Sequence, residues 1–396
     1  MDVLHIVGKV GQSSFGIGEV ALNLARHQIK YHCRSRIWCL QSTLQPDGQI
    51  DSSLGPDGLR DFRIFGPTSL SYTPQMEAAA RSEASESRPM VVHQHGIWTA
   101  LSRVTTVLRK KHKLPAVVGA QGALQPWALR KSRWKKKLAS FAYEWNNLNQ
   151  ATCLHACGDI EIADYRGYSL KNPIALLPNG ISSDWSHEVT DAEGFRGRHH
   201  IPADTRILLY LSRITPKKGL GMLLKPLHEL RNAFREWVFV IAGGDEFSYS
   251  IELQNEIEKR NLSDKVRFIG PVYGAEKRNA YASADLFVLP THSEGNPFVV
   301  LEGLGAGVPV LTTKGTPWSD LTRHDCGWWT DISAESLGDA LSHALSKSRA
   351  DLREMGCRGQ ALVQQKYDWS IIADKTIRLY DWLTKGGTHP DFVHLF

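Results

Sequence analysis

Two acidic residues eight positions apart, Glu294 and Glu302, bracket a run that directly follows a short apolar strand ending at Leu289-Pro290. A helix should start at Asn296, Pro297 and Phe298, where unpaired backbone N–H groups and the positive dipole end make a ready anion site. A carboxylate on each side suits the hydroxyl-rich parts of a ligand flanking a phosphate. The same pair reads equally well as two surface carboxylates near a helix start, one of them capping it. Arg213 and Lys218, with Gly219, directly follow a second apolar strand, Ile207–Leu211. Two cations and a glycine at a strand-to-helix turn suit a diphosphate; a solvated basic loop is the competing reading.

Two further groups lie in the first half. The turn Gly11–Gly18 contains Gly16 and Gly18, which let backbone approach a ligand closely. It is neither the Gly-x-Gly-x-x-Gly dinucleotide fingerprint nor a Walker loop. The run Val92-His93-Gln94-His95-Gly96-Ile97-Trp98 ends a strand. There His95 is a candidate hydrogen-bond donor or proton carrier, and His93, inside the strand, a structural residue. The six cysteines form no Cys-x-x-Cys pair and read as buried thiols of a reducing compartment.

These residues sit at the ends of strands, so the elements around them set their geometry. Short apolar runs at Val3–Val7, Arg36–Leu40, Phe62–Phe65, Met90–His93, Ala116–Gly119, Thr152–Ala156 and Ile174–Leu177 alternate with helical patterns, among them Ala100–Lys111 and Pro126–Asn146. After a polar stretch from Ser182 to His200 the alternation restarts, with strands at Ile207–Leu211, Val238–Ala242, Val266–Ile269, Leu286–Leu289 and Val308–Thr312. Strands of this kind, buried on both faces, predict parallel sheets covered by helices. The reading is an α/β protein of two doubly wound, Rossmann-like domains facing a central cleft. Its domains are 1–183 and 184–396, with ligands expected beyond the strand C-termini. A last helix is expected over about 369–383, where Trp369, Ile372, Ala373, Thr376, Leu379, Tyr380 and Leu383 fall on one face.

Composition bounds the rest. At 396 residues, 42% apolar and 22% charged, the chain is an ordinary globular protein, which excludes disorder, collagen and small disulfide scaffolds. No signal peptide and no membrane span is read, so a cytoplasmic protein is expected. The net charge of +6 is unevenly spread: Leu101–Lys137 holds eleven basic residues and no acidic one, leaving the remainder net acidic.

The order of these pieces resembles the retaining glycosyltransferases of family 4, which have the GT-B fold. The resemblance covers nearly the whole chain: the glycine turn, His95-Gly-Ile-Trp98, Pro178-Asn179-Gly180, Arg213 with Lys218, Glu294 with Glu302, and the final helix. Thr316-Pro317-Trp318-Ser319-Asp320 with Cys326-Gly327-Trp328-Trp329 resembles a bacterial subgroup that builds surface polysaccharide. The resemblance implies an enzyme moving a hexose or related sugar from a nucleotide-diphosphate donor to a saccharide acceptor, expected to be lipid-linked, in lipopolysaccharide, capsule or exopolysaccharide assembly. It implies that Arg213 and Lys218 hold the diphosphate, that Glu294 contacts the transferred sugar, and that Glu302 binds the ribose. Gly270 to Val272 would meet the base through backbone groups, and Gly16 and Gly18 would approach the phosphates or acceptor. It also implies that the final helix crosses back to the N-terminal domain. Many members carry His or Arg in the loop after Ala116–Gly119; here Gln121 cannot titrate, which moves the acceptor-side role to His95. No Asp-x-Asp triplet occurs, so no cofactor and no metal are expected, Arg213 and Lys218 standing in for the cation. A nucleotide-sugar epimerase of the same fold and a non-catalytic sugar-nucleotide-binding protein are the rivals.

Residues 126–145 read as one helix with Trp127, Trp134, Leu138, Phe141 and Trp145 toward one face and six cations over much of the rest. A basic, aromatic, amphipathic helix suits an anionic membrane, here the cytoplasmic face of the inner membrane. A helix packing its aromatic stripe into the N-terminal domain is the alternative. No recognition motif points to nucleic acid.

Overall fold

The computed structural model describes residues 1–11, 16–40, 52–55, 57–82, 90–182, 185 and 190–396. The chain forms two compact units, Met1–Gly180 with Trp369–Phe396, and Ile181–Asp368. The boundary expected at 183 lies outside the described residues, as do positions 12–15 of the first glycine turn.

The first unit contains β1 (Asp2–Val7), β2 (Arg34–Leu40), β3 (Leu59–Phe62), β4 (Val91–His95), β5 (Ala116–Gly119), β6 (Cys153–Ala156) and β7 (Ile174–Leu176). The second contains β8 (Arg206–Leu211), β9 (Trp237–Ala242), β10 (Val266–Gly270), β11 (Leu286–Leu289), β12 (Val310–Thr313) and β13 (Gly327–Thr330). β14 (Val393–His394) returns to the first unit and pairs antiparallel with β7. The sheet orders are β14-β7-β6-β5-β4-β1-β2-β3 and β10-β9-β8-β11-β12-β13. Apart from β14, all pairings are parallel. The inner strands are buried on both faces, as their unbroken Val, Ile and Leu runs require. In both sheets the chain reverses its direction of strand addition beside the first strand, placing a topological switch point at β1/β4 and at β8/β11.

Local chemistry sets the helix ends. In Ile17–Lys30 the buried positions Val20, Ala21, Leu24, Ala25 and Gln28 repeat at helical spacing and face the sheet and the helix Trp369–Lys385. Trp369–Lys385 buries Trp369, Ile372, Ala373, Thr376, Leu379 and Tyr380, the face expected from its periodicity. Gly180 is required where this helix begins: a Cβ there would lie 2.6 Å from the Trp369 ring. The third strand lies earlier than the expected Phe62–Phe65, because Ile37 to Leu40 of β2 pair with Leu59 to Phe62.

The single helix expected over 126–145 is broken. A turn of helix from Pro126 to Arg130 stops at Ser132, whose φ is +56°; Arg133–Ala139 restarts it, Ser140–Glu144 widens to a π-helical turn, and Trp145–Asn149 ends it. The aromatic stripe does not pack into the core: Trp134, Leu138 and Phe141 are 69%, 62% and 92% exposed.

A polar network lies in the middle of the first unit, where β1, β4 and β6 bring His5, His93, His95 and His155 together, all buried. Carbonyl acceptors at its two ends orient every ring. His155 Nε2–H donates to the Leu177 carbonyl (2.7 Å), so its Nδ1 accepts from His93 Nε2–H (3.0 Å), and His93 Nδ1 accepts from the Tyr380 hydroxyl (2.6 Å). His5 Nε2–H donates to Gln28 Oε1 (2.9 Å), so its Nδ1 accepts from His95 Nε2–H (2.9 Å). His95 Nδ1 is left as a buried acceptor without a hydrogen-bond partner. Burial lowers His5 and His155 to about 4, and burial with neighbouring histidines lowers His93 and His95 well below the ordinary value. An unfolded chain would take up protons below ~6.5, so each imidazole withdraws stability as pH falls from ~6.5 toward 4. Glu161, raised by burial to about 7, acts in the opposite sense. The four rings are therefore expected to remain neutral Nε2–H tautomers at pH 5.5 in long-range 1H–15N NMR of histidine-labelled protein. A protonated signal from any of them at that pH would contradict the network.

Candidate functional site

The second unit gathers charge at the C-terminal edge of its sheet. After β8 the chain runs through Arg213 into a short 3-10 turn, Pro216–Lys218, capped by the Thr215 hydroxyl, and then into the helix Leu220–Glu229. Gly219 joins the two with φ +72°, and a Cβ there would stand 2.0 Å from the Pro290 carbonyl. Only glycine allows the loop after β8 to touch the loop after β11. Two hydrogen bonds to the Lys217 carbonyl hold the contact, from the His292 N–H (2.9 Å) and the Thr291 hydroxyl (3.2 Å). The loop after β12 is tied in by the Glu294 N–H, which donates to the Gly315 carbonyl at 2.7 Å.

This contact brings Lys218 and Glu294 together. Lys218 Nζ lies 2.7 Å from Glu294 Oε1, Lys217 Nζ lies 4.0 Å from the same oxygen, and the Thr291 hydroxyl donates to it at 3.2 Å. Lys218 is buried. Burial opposes ionisation of Glu294, but the two lysine charges and the hydrogen bonds from Lys218 and Thr291 outweigh it and hold the carboxyl below its usual range. The site is thus an ionised carboxylate beside a desolvated ammonium at a strand switch point.

Arg213 is nearby in sequence but held elsewhere: it forms an ion pair with Glu246 in the loop after β9. That loop pairs with its own, since the Ile214 N–H reaches Gly244 (2.8 Å) and the Glu246 N–H reaches Ile214 (3.0 Å). Tyr210 donates to the Arg213 carbonyl at 2.7 Å. The helix expected over Pro297–Ala306 runs from Phe298 to Gly305 with Pro297 as its cap, and Glu302 lies buried within it. Glu302 accepts from Lys277 (2.5 Å) and from the Tyr281 hydroxyl (3.2 Å), while its carbonyl takes the Trp185 indole N–H (2.9 Å). Gly270, with φ +74°, ends β10, and its carbonyl accepts from the Gly243 N–H; Val272 is buried just beyond.

In the first unit, Gly16 caps the helix Ile17–Lys30 with φ +99°, and Gly18 is buried in its first turn. His95 is the last residue of β4, followed by Gly96 at φ +85°; a Cβ on Gly96 would be 3.8 Å from Ile17. The two glycine turns therefore meet at the β1/β4 switch point. His95, expected as a hydrogen-bond donor or proton carrier, is buried, its pKa is lowered well below the ordinary value by burial and the neighbouring histidines, and it keeps Nδ1 as an acceptor while Nε2–H is given to His5. Among the described residues, His5, His93 and His95 are the histidine, cysteine and carboxylate groups close enough to share a metal ion, with ligand atoms within 4.8 Å. The hydrogen bonds above already engage His5 and His93 through both nitrogens.

Sequence reading missed Lys217, Thr291, Lys277, Tyr281 and Glu246. Lys217 was legible, being next to Lys218 in the same basic turn. Lys277 and Tyr281 carry no local signal: they sit on an ordinary helix that only the fold lays against Glu302.

Residues 15–180 match the model of the Glycosyl transferase 4-like domain, and residues 191–359 match that of the Glycosyl transferases group 1. The phosphatidyl-myo-inositol mannosyltransferase of Mycobacterium leprae is 28% identical over 217 residues, 54% of this chain and 54% of that protein. The lipopolysaccharide 1,2-N-acetylglucosaminetransferase of Salmonella typhimurium is 26% identical over 225 residues, 54% of this chain and 58% of that protein. The chain thus spans about half the length of the curated relatives it matches. Anabaena HepE, solved in complex with UDP and glucose, superposes with a TM-score of 0.72 at 16% identity, covering 95% of this chain and 98% of HepE.

Gly219→Ala should destabilise the protein by at least about 2 kcal/mol, since the left-handed backbone and the Pro290 carbonyl both reject a methyl group. Urea unfolding measures this, and a wild-type midpoint would contradict the close loop contact.

Proposed function

The chain belongs to the GT-B glycosyltransferases with family 4-like domains, and within that family we propose that it is a retaining enzyme transferring a sugar from a nucleotide diphosphate to a saccharide acceptor. The observation that carries this reading is the buried Lys218–Glu294 pair at the β8/β11 switch point. A diphosphate seated at this edge would take Lys218 as its counter-charge, with Arg213 released from Glu246 to join it. As the bond from the sugar to the diphosphate breaks, negative charge grows on the leaving oxygen, and the fixed ammonium stabilises it without reorganisation. Glu294, relieved of Lys218, would face the transferred sugar and accept from its hydroxyls. Glu302 would accept from the ribose, with Lys277 and Tyr281 holding its carboxylate in place. Gly270 to Val272 would meet the base through backbone groups. Gly16, Gly18 and the neutral His95 would serve the first unit's ligand-facing edge, His95 as a hydrogen-bond acceptor.

HepE holds UDP and glucose, which supports a UDP-linked hexose as the first donor to try. The Salmonella relative acts in lipopolysaccharide synthesis and the mycobacterial one on a phosphatidylinositol, which supports a lipid-linked saccharide acceptor in surface-glycan assembly. No helix among the described residues is long and apolar enough to cross a membrane. The exposed aromatic and basic segment 126–145 supports attachment to an anionic membrane surface, the cytoplasmic face in this reading. The reaction is proposed to need no metal or other cofactor, because Lys218 and Arg213 supply the positive charge.

Lys218→Ala and Glu294→Ala are each expected to lower turnover of the donor at least about a hundredfold, the size of a lost transition-state contact of roughly 3 kcal/mol. Wild-type turnover in either would refute the site. Activity is expected to persist in EDTA; its complete loss, restored by a divalent cation, would refute the metal-free reading.

A further inference from the structure

Glu294, Glu302 and Glu246 all face cations in the second unit, and in the transferase reading the first two have ligand hydroxyls to accept from. Glu246 has none. It lies against Arg213, one of the two cations expected to hold the diphosphate. A carboxylate at the cationic end of an anion site weakens that site, because it competes for the cation and repels the ligand.

The backbone places Glu246 there at a cost. Gly243 lets the loop after β9 meet the loop after β8, since a Cβ on it would stand 1.8 Å from the Ser212 carbonyl oxygen. Ile214 and Asp245 then pair as a short parallel bridge, which the Glu246 N–H closes on the Ile214 carbonyl at 3.0 Å. Directly afterwards Phe247 and Ser248 both take left-handed backbone, φ +63° and +57°, a strained path for two successive residues with side chains. Burial does not offset that strain, because the Phe247 side chain is exposed. Asp245 holds the path instead: its carboxylate accepts from the Ser250 N–H at 3.1 Å and the Ser250 hydroxyl at 2.6 Å, at the start of the helix Tyr249–Lys259. Asp245 is thus committed to the helix start, and Glu246 is the carboxylate presented to Arg213.

The two ion pairs around the turn 213–218 differ in strength. The Lys218 and Glu294 side chains are 8% and 16% exposed, those of Arg213 and Glu246 44% and 33%. The first pair is costly to separate; the second is not, an exposed pair being worth at most about fivefold in an equilibrium constant. Glu246 therefore tilts the equilibrium at Arg213 without blocking the site. The tilt depends on the charge of the ligand. When the bond from the sugar to the diphosphate breaks, the electron pair stays on the terminal phosphate oxygen and the proton of the acceptor hydroxyl passes to solvent. Above pH ~6 the spent nucleotide then carries one negative charge more than the donor did. The carboxylate weighs more heavily against the product than against the nucleotide sugar.

We propose that Glu246 is a release residue: it competes with the diphosphate for Arg213 and shifts the preference of the site from the spent nucleoside diphosphate toward the nucleotide sugar. It acts through Arg213 and touches no reacting atom. The proposal rests on the transferase reading and adds to it a control on product release.

Calorimetry of the full chain with UDP, UDP-glucose and uridine, in wild type and in Glu246→Gln, is the test. Glutamine keeps the size of the side chain and removes its charge. Glu246→Gln is expected to bind UDP at least about threefold more tightly, UDP-glucose more tightly by a smaller factor, and uridine as the wild type does. Unchanged or weaker UDP binding would overturn the proposal, weaker binding showing that Glu246 positions Arg213 for the ligand. Equal gains for UDP and UDP-glucose would overturn it too, as would an altered uridine affinity, the sign of a rearranged loop. The wild-type titrations separate the two readings. A wild type without affinity for UDP or for UDP-glucose refutes the transferase reading and this proposal with it; one that binds both, with Glu246→Gln unchanged, refutes only this proposal.

Discussion

The second unit depends on one close approach. Because β8 lies between β9 and β11, the loops leaving β8 and β11 are neighbours, and Gly219 lets them touch where any side chain would strike the Pro290 carbonyl. The central charged pair follows from that contact. It sets Lys218 beside Glu294, and burial makes their separation costly: removing one partner of a buried pair typically costs about 3–5 kcal/mol. A ligand that offers Lys218 a phosphate and Glu294 a hydroxyl exchanges one set of charge-assisted hydrogen bonds for another. The pair keeps both charged groups satisfied within the fold at the β8/β11 switch point.

The first unit solves a different problem with the same topology. Its switch point lies between β1 and β4, and the strands there carry histidines where Val or Ile would be expected in a parallel sheet. Carbonyl acceptors at the two ends of the network make the arrangement self-consistent, since each ring's tautomer is set by its neighbour. The result is a neutral polar core behind the glycine turns, one atom of which, His95 Nδ1, remains open as an acceptor. The return of the C-terminal helix completes it, because Tyr380 supplies the hydroxyl that His93 needs.

Much of this was legible in the residues alone. Strand identities came from short apolar runs, and the charged groups at the strand ends came from their place just after those runs. The last helix was legible from one apolar face repeated over about four turns. What was not legible depended on contacts between distant segments. Arg213 and Lys218 share a turn, yet the structure pairs one with Glu246 and the other with Glu294, because the loop after β9 reaches only the start of that turn. The helix over 126–145 was misread because hydrophobic spacing does not register the left-handed Ser132 or the wider turn at 140–144, whose Ser140 and Glu144 are held by Tyr168, Trp98 and Ser102. The surroundings of His95 were not legible either, because its sequence neighbours do not reveal that β1 and β6 bury it among other histidines.

The central claim is that Lys218 is the counter-charge for a nucleotide's diphosphate. Calorimetric titration of UDP and of uridine into wild type and Lys218→Ala tests it most directly. The account predicts that wild type prefers UDP by a factor that Lys218→Ala reduces at least about tenfold, roughly 1.4 kcal/mol or more of charge-assisted bonding, while uridine affinity stays the same in both. An undiminished preference for UDP in Lys218→Ala would contradict it.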